Sequence, residues 1–160
     1  NERKGLKFYL NLVKKLNKDK YQFIVFGENN HEEFNSYLKK LNIKKKILNM
    51  GKLKDEISLK IFYSSIDLLI LPSTQESFGL IAQEGSIMGV PSVVFNNTGL
   101  TSVIDHKKNG YLSKSNSNED IYAGVKWCLS NLNKYKVSIY SKKKFDEKKI
   151  INNYLKFLKS

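Results

Sequence analysis

The chain of 160 residues has the length of one ordinary domain, which can bury a core without metals or disulfides. Its 41% hydrophobic and 12% aromatic residues exclude the disordered classes of protein. The net charge of +13 is typical of nucleic-acid binders, but all but one of the 28 basic residues are lysines, spread over every segment. Because arginine is the residue that reads bases and clamps phosphates, we predict a folded domain that does not bind nucleic acid.

Membrane-spanning and secreted classes are also excluded. No apolar stretch approaches the roughly 20 residues of a membrane span, and no signal-peptide pattern opens the chain. Cys128 is the one cysteine, so neither an internal disulfide nor a multi-cysteine zinc site is expected. These features predict a soluble, cytoplasmic protein, and leave open a peripheral contact between its lysines and an anionic membrane.

The first half of the chain alternates helix and strand patterns. Apolar residues at three- and four-residue spacing predict a first helix from Leu6 to Leu16. The runs that follow predict a strand at Tyr21–Phe26, a helix around Phe34–Leu41, a strand at Ile47–Met50 and a helix at Asp55–Ser65.

The second half continues this alternation. Leu68–Leu71 is apolar on both faces, which is typical of a central parallel strand. After it we predict a helix from Phe78 to Met88, a strand at Ser92–Phe95, and helices at Glu119–Leu132 and about Lys142–Leu158. Strands that alternate with helices, without hairpin signals, indicate an α/β fold with an open parallel sheet covered by helices on both faces.

The loop after Leu71 carries the most chemistry, because ligands of open α/β sheets bind at the carboxyl ends of the strands. Glu76 lies in this loop and Glu84 in the following helix, eight positions later. Backbone N–H groups in the first helical turn favour an anion such as a diphosphate. Glu84 shares a helix face with Leu80 and Met88, which predicts that its carboxylate projects toward the sheet. Together these groups suit a nucleotide sugar, although chance spacing and a capping role for Glu76 are the plainer alternatives.

Several short segments around the two acids stand together and in a fixed order: Leu69-Ile-Leu-Pro-Ser73, Glu76-Ser-Phe-Gly-Leu80, Glu84-Gly85 and Gly89-Val-Pro-Ser-Val-Val94. Three further segments accompany them, Arg3-Lys4-Gly5, Ile24-Val-Phe-Gly27 and Asn109-Gly-Tyr-Leu112. This combination resembles the retaining, nucleotide-sugar-dependent glycosyltransferases of the GT-B fold, in particular the group 1 family with its Glu-x7-Glu motif. The resemblance implies a Rossmann-like fold, that of the C-terminal half of such an enzyme.

The resemblance also assigns roles to residues. It implies that Glu76 is catalytic and contacts the transferred sugar near the reacting carbon, and that Glu84 binds the ribose hydroxyls. Lys4, with Arg3 as the weaker candidate, would neutralise the leaving diphosphate. The remaining implied contacts are backbone groups of Phe78, Gly79 and Leu80 for sugar and phosphate, and Gly27, Gly51 and Lys52 for the base.

Two departures from the family pattern affect the expected specificity. Ser102 stands where relatives often carry a carboxylate, and the family's upstream Gly-Arg segment would lie before Asn1. We expect residues 1–160 to be the donor-binding domain, with an N-terminal acceptor domain absent from this chain. The isolated domain should then bind donor without turnover.

The full-length protein is expected to be a hexosyltransferase-type enzyme of bacterial polysaccharide biosynthesis. It would transfer a sugar from a nucleotide diphosphate sugar to a glycan or lipid-linked acceptor, and would need neither a metal nor another cofactor. Two alternatives remain open: a non-catalytic module that binds nucleotides or sugar phosphates, and a lysine-rich nucleic-acid binder.

Overall fold

A computed structural model describes residues 2–16, 20–27, 31–43, 47–53, 55–148 and 151. A short 3-10 helix (Glu2–Lys4) leads into the elements of the first half, which are α1 (Leu6–Lys15), β1 (Phe23–Val25), α2 (His31–Lys40), β2 (Ile47–Asn49) and α3 (Glu56–Ser65). The second half contains a further 3-10 helix (Gly99–Ser102) and the elements β3 (Leu69–Leu71), α4 (Leu80–Ile87), β4 (Ser92–Phe95), β5 (Gly110–Ser113), α5 (Asn118–Asn131) and α6 (Lys134–Lys144).

The strand pairs of the described residues are all parallel, as the alternation of elements predicts. Strand β1 pairs with β2, and a three-stranded ladder has the order β3, β4, β5. Within that ladder β3 is an outer strand, so the prediction that Leu68–Leu71 is central is wrong. The middle strand is β4, all four of whose residues are buried.

Helices cover both faces of β4. Its Val93 and Phe95 pack in one core with residues of α1 and α5, such as Val13 and Val125. Val94 packs in a second core on the opposite face, with Ala82 of α4, Leu100, Val103 and Ile104. Successive residues of a strand point to opposite faces, so this split places helices on both sides of the sheet. Burial of each large apolar side chain stabilises the fold by about 1.5–3 kcal/mol.

Helix α6 begins eight residues before the predicted start at Lys142. The side chain of Asn133 caps the helix by accepting a hydrogen bond from the N–H of Lys136 at 2.9 Å. Val137 and Ser141 are its buried residues. Because one of them is a serine, the buried face lacks the apolar spacing that identifies a helix in a sequence. Residues 149, 150 and 152–158 of the predicted helix lie outside the described residues.

Asn109, which opens one of the segments that match the family, lies in a turn that leads directly into strand β5. Asn109 is fully buried, and its side chain accepts from the N–H of Asp105 at 2.8 Å and donates to the carbonyl of Val103 at 3.1 Å. Gly110 follows it with so little space that a Cβ there would lie 2.2 Å from the carbonyl oxygen of Ser92. This pair of residues therefore holds the turn against β4, which is a structural role.

Candidate active site

The loop between β3 and α4 lies at the carboxyl end of the parallel ladder, beside the loop that follows β4. The two loops are joined by a hydrogen bond of 2.8 Å from the N–H of Gly99 to the carbonyl of Glu76. Gly99 has no room for a side chain, since a Cβ would lie 2.1 Å from the carbonyl oxygen of Ser77. The backbone that carries Glu76 is therefore held from one side by the chain after β4.

The segment before α1 holds the same loop from the other side. The N–H of Thr74 donates to the carbonyl of Arg3 at 3.0 Å. Gly5 turns with a φ of 72°, and a Cβ there would meet the carbonyl oxygen of Pro72 at 1.8 Å. Only glycine satisfies both the positive φ and this close approach. The turn brings the two basic residues that precede Gly5 to the carboxyl end of β3.

Lys4 and Glu76 form an ion pair at this position, although 72 positions separate them in the sequence. The ammonium of Lys4 donates to Oε2 of Glu76 at 2.5 Å. The Glu76 side chain is 25% exposed and that of Lys4 50% exposed, so the pair lies at the boundary between protein and solvent. A group that enters the site from solvent can therefore reach both charges.

A cavity of about 570 Å³ opens in front of this ion pair. Its volume is in the range of small-molecule sites. Its walls present two cations, one carboxylate and several amide or hydroxyl groups, from Arg3, Lys4, Thr74, Gln75, Glu76, Ser77, Asn97, Thr98 and Gly99. Such a lining suits a ligand that carries both negative charge and many hydroxyl groups, because cations attract the charge and polar side chains pair with the hydroxyls.

Helix α4 begins next to this loop with free backbone donors. Its first residue is Leu80, so Phe78 and Gly79, which we predicted to be helical, precede it. Gly79 is the N-cap residue, with a φ of 67° and no capping side chain, and a Cβ there would lie 2.4 Å from Cδ2 of Leu100. Among the described residues, the N–H groups of Leu80 and Ile81 have no acceptor. These donors give the helix start the partial positive charge that favours an anion.

The prediction that Glu84 projects toward the sheet is wrong. The residues of α4 that face the sheet are Ala82, Gly85 and Ser86, whereas Leu80, Glu84 and Met88 form an exposed face. They do so because the sheet-facing side has no space for larger side chains: a Cβ on Gly85 would lie 2.4 Å from Cδ1 of Leu69.

The Glu84 carboxylate has one hydrogen-bond donor among the described residues, the hydroxyl of Tyr63 on α3. This hydroxyl lies 2.9 Å from Oε2 of Glu84. Burial of the tyrosine, and then its bond to the carboxylate, raise the pKa of Tyr63 well above its usual value. Tyr63 therefore stays protonated, and stays a donor, over the whole physiological pH range.

The structure thus brings some predicted site residues together and leaves others apart. Arg3, Lys4 and Glu76 line one cavity, whereas Glu84 does not belong to its lining. Phe78 and Leu80 are exposed beside the helix start, at 78% and 64%. The sequence analysis missed the contact between Tyr63 and Glu84 and the cavity residues Thr74, Gln75, Asn97 and Thr98. Helical periodicity predicts that Tyr63 is buried, but it carries no signal for the partner of its hydroxyl.

The three residues predicted to hold the base lie at the carboxyl ends of β1 and β2. The N–H of Gly27 donates to the carbonyl of Gly51 at 2.7 Å, so the two loops touch. Both glycines have positive φ, and a Cβ on either would meet none of the described residues within 4 Å. The conformation of the backbone, not crowding, therefore accounts for glycine at both positions. Lys52 is exposed next to them.

Other residue types with reactive side chains do not form a further site in the described part of the chain. No group of three or more His, Cys, Asp and Glu residues there could hold a metal ion. Cys128 is fully buried in the core, and this burial raises the pKa of its thiol to about 12. Ser102 is exposed, and its hydroxyl donates to the carbonyl of Gly99 at 2.7 Å. In the described ranges, no helix has the length and apolarity needed to cross a bilayer.

Comparisons with known proteins agree with this fold. An uncharacterized 41.2 kDa protein in the cps region of Klebsiella pneumoniae is 28% identical over 163 residues, which is all of this chain and 44% of that protein. An uncharacterized glycosyltransferase of Methanocaldococcus jannaschii is 27% identical over 94% of this chain and 41% of its own length. The chain thus spans less than half of the length of these relatives.

A solved structure has the same fold over the whole chain. The Anabaena protein Alr3699/HepE, in complex with UDP and glucose, superposes with a TM-score of 0.79 at 16% identity, over 100% of this chain and 46% of that one. This likeness confirms the predicted Rossmann-like α/β fold of GT-B glycosyltransferases. Residues 1–145 match the family described as glycosyl transferases group 1, and the chain therefore belongs to that family.

Proposed function

We propose that this chain is the donor-binding domain of a retaining glycosyltransferase, which transfers a sugar from a nucleotide diphosphate sugar to a glycan or lipid-linked acceptor. One observation carries the proposal: Lys4 and Glu76 face a single cavity at the carboxyl end of the sheet. A nucleotide sugar needs a cation for its phosphates and a carboxylate for its sugar, close enough together for one bound molecule to contact both. The Anabaena structure in complex with UDP and glucose supports the choice of donor.

In the proposed reaction, the leaving group is a nucleoside diphosphate, whose negative charge grows as the bond to the sugar breaks. Lys4 and Arg3 provide fixed positive charge, and the first N–H groups of α4 provide further donors. Such preorganised charge stabilises the transition state without reorganisation of solvent. We propose that these groups suffice, so that the reaction needs no metal ion. Glu76 contacts the sugar near its reacting carbon.

The nucleoside part of the donor, its ribose and its base, is assigned to two further groups of residues. Glu84, which is exposed on α4, binds the ribose hydroxyls through its carboxylate oxygens. The loops of Gly27 and of Gly51 and Lys52 hold the base, and the exposed side chain of Lys52 can contact it. Among the described residues, nothing lies within 4 Å of a Cβ built on either glycine, which leaves room for a planar ring.

We propose that a second, N-terminal domain of the full-length protein binds the acceptor and closes the cleft. Phe78 and Leu80 are large apolar side chains, both strongly exposed directly beside the cavity, and a facing domain or a bound donor would cover them. The chain spans 46% of the Anabaena protein, which leaves room for such a domain. Orientation of two substrates requires both sides of the cleft, so transfer requires the full-length protein.

Peripheral contact with the cytoplasmic face of an anionic membrane is a further part of the proposal. Helix α6 contains five lysines and no acidic residue, and its exposed positions Tyr135, Ile139, Lys142 and Lys143 follow one face. Apolar and cationic side chains on one face suit the boundary between headgroups and acyl chains. Sedimentation with phosphatidylglycerol vesicles should be lost in a Tyr135→Ser, Ile139→Ser double variant, and kept in the matched Ile57→Ser, Ile61→Ser variant on α3.

Calorimetric titration of the chain with UDP, GDP and ADP tests the donor site. We expect binding of at least one of them in the micromolar to millimolar range, without turnover of the corresponding sugar nucleotide. Absence of binding to all three would overturn the proposal. Binding to any nucleic-acid duplex with a steep salt dependence, and no preference for nucleoside diphosphates, would support the nucleic-acid alternative instead.

Substitution of Glu76 by Gln in the full-length protein separates an enzyme from a non-catalytic binding module. The variant keeps the size and a hydrogen-bonding oxygen but loses the charge that faces the sugar. We expect transfer to fall by about 100-fold or more, while binding of the nucleoside diphosphate persists because Lys4 is released from its partner. A pure binding module would show the same ligand affinity and no transfer activity to lose.

A further inference from the structure

The contact between Tyr63 and Glu84 has the geometry of a support for a binding residue. Tyr63 is 2% exposed and packs in a core with Phe62, Ile66 and Leu69. Only its hydroxyl reaches out, to a carboxylate on an exposed helix face. The ring is anchored by the core, so the position of the hydroxyl is fixed by the fold and not by solvent.

Gly85 makes this contact possible. A Cβ built at Gly85 would lie 3.5 Å from Cε1 of Tyr63 and 2.4 Å from Cδ1 of Leu69, so the tyrosine ring and helix α4 touch where Gly85 has no side chain. The hydroxyl then lies beside the preceding residue of the chain, Glu84. A larger residue at position 85 would displace the ring or the helix and lengthen this hydrogen bond.

Glu84 is otherwise an exposed glutamate with considerable conformational freedom. Fixing such a side chain on ligand binding costs entropy, which weakens the affinity. The bond from Tyr63 occupies Oε2, and among the described residues Oε1 has no hydrogen-bond donor. The carboxylate is therefore already oriented before a ligand arrives, with an oxygen left for a hydroxyl group of that ligand.

We propose that Tyr63 is a positioning residue for donor recognition, which orients the Glu84 carboxylate toward the two vicinal hydroxyls of the donor ribose. This inference rests on the proposed function and deepens it. It adds a residue that touches no substrate itself and acts through Glu84. Its consequence is specific, because loss of the tyrosine hydroxyl should affect ligands that carry the ribose hydroxyls and spare ligands that lack them.

The test compares two ligands and a matched pair of tyrosine variants. The affinities of Tyr63→Phe and Tyr140→Phe are measured by calorimetry with UDP and with 2′,3′-dideoxyuridine diphosphate. If the chain prefers guanine or adenine, GDP or ADP and its dideoxy analogue are used instead. The Tyr140 hydroxyl also donates to a carboxylate, Oδ2 of Asp105 at 2.6 Å, but neither residue belongs to the cavity lining. Both variants lose one hydroxyl and keep the ring.

We expect Tyr63→Phe to weaken binding of UDP about three- to tenfold, which is the effect of losing one hydrogen bond. Binding of the dideoxy ligand should change less than about twofold. Tyr140→Phe should change neither affinity. In a Glu84→Ala background, Tyr63→Phe should have no further effect on UDP. If Tyr63→Phe fails to fold, Glu84→Asp tests the same contact, since it withdraws the carboxylate and leaves the core ring in place.

Two results would overturn the inference, and they differ from failure of the proposed function. An equal loss of affinity for both ligands in Tyr63→Phe would show that the hydroxyl merely stabilises the fold near the site. An unchanged affinity for UDP would show that Glu84 needs no support. Absence of any nucleotide binding to the unsubstituted chain would overturn the proposed donor site, and this inference with it.

Discussion

Replacement of Lys4 by Met tests the cation that the site presents to a diphosphate. The Lys4 ammonium lies 2.5 Å from Glu76 and is half exposed, so it can move to a phosphate oxygen without a change of the backbone. A hydrogen bond between charged groups contributes about 1.5–3 kcal/mol, and solvent around Lys4 places it at the lower end, about 1.5–2 kcal/mol. The affinity for UDP should therefore fall about 10- to 30-fold.

The assay is calorimetric titration at two salt concentrations, with Lys60→Met as control. Lys60 also pairs with a glutamate, Glu56 at 2.7 Å, but on the exposed surface of α3. The two variants lose the same charge, so their difference measures position and not net charge. An equal loss of affinity in both would show that UDP follows the overall charge of +13. An unchanged affinity in Lys4→Met would remove Lys4 from the site.

Two further predictions concern stability. Asn109→Ala should destabilise the fold by about 2–4 kcal/mol in urea unfolding, because the buried N–H of Asp105 and carbonyl of Val103 lose their partner. The control Asn131→Ala, at an exposed position, should destabilise it by less than about 0.5 kcal/mol. Similar values for both variants would refute the structural role of Asn109. Burial alone would raise the pKa of Asp105, but hydrogen bonds from Lys144 and Tyr140 lower it overall. Because the folded pKa is below the unfolded one, Asp105 stabilises the fold above about pH 4, and this contribution is lost as the pH falls through the folded pKa. Asp105→Asn should therefore lower stability at pH 7 by about 1 kcal/mol or less, and its effect should shrink as the pH falls below about 4. An effect that keeps the same size as the pH falls would contradict the assignment.

Most of the fold could be predicted from the sequence, because its elements follow simple periodicities. The apolar spacing in α1 and the buried run of β4 identify a helix and a strand without any tertiary information. Helix α6 could not be found in this way. It buries Val137 and Ser141 on one side and exposes Tyr135 and Ile139 on the other, so that no single apolar face is present in its sequence.

The site was harder to predict, because the large apolar residues of α4 lie on its exposed face and not on the face that packs against the sheet. Leu80 and Met88 are the large apolar residues near Glu84, and periodicity assigns such residues to the core. Helix α4 instead approaches the sheet so closely that only small residues such as Ala82 and Gly85 fit between them. The exposed face of α4 is left with large apolar residues, which is unusual for a surface helix and typical of a surface that another group covers.

The two acids differ in how firmly the fold holds them. Glu76 lies on a loop that is packed between two glycines, Gly5 and Gly99, and its carboxylate is paired with Lys4. Glu84 depends on one hydrogen bond from Tyr63. In the proposed reaction the sugar carbon must be placed within a fraction of an ångström, whereas the ribose hydroxyls only anchor the donor. The position held from several sides is therefore assigned to the chemistry, and the position oriented by a single hydrogen bond is assigned to recognition of the donor.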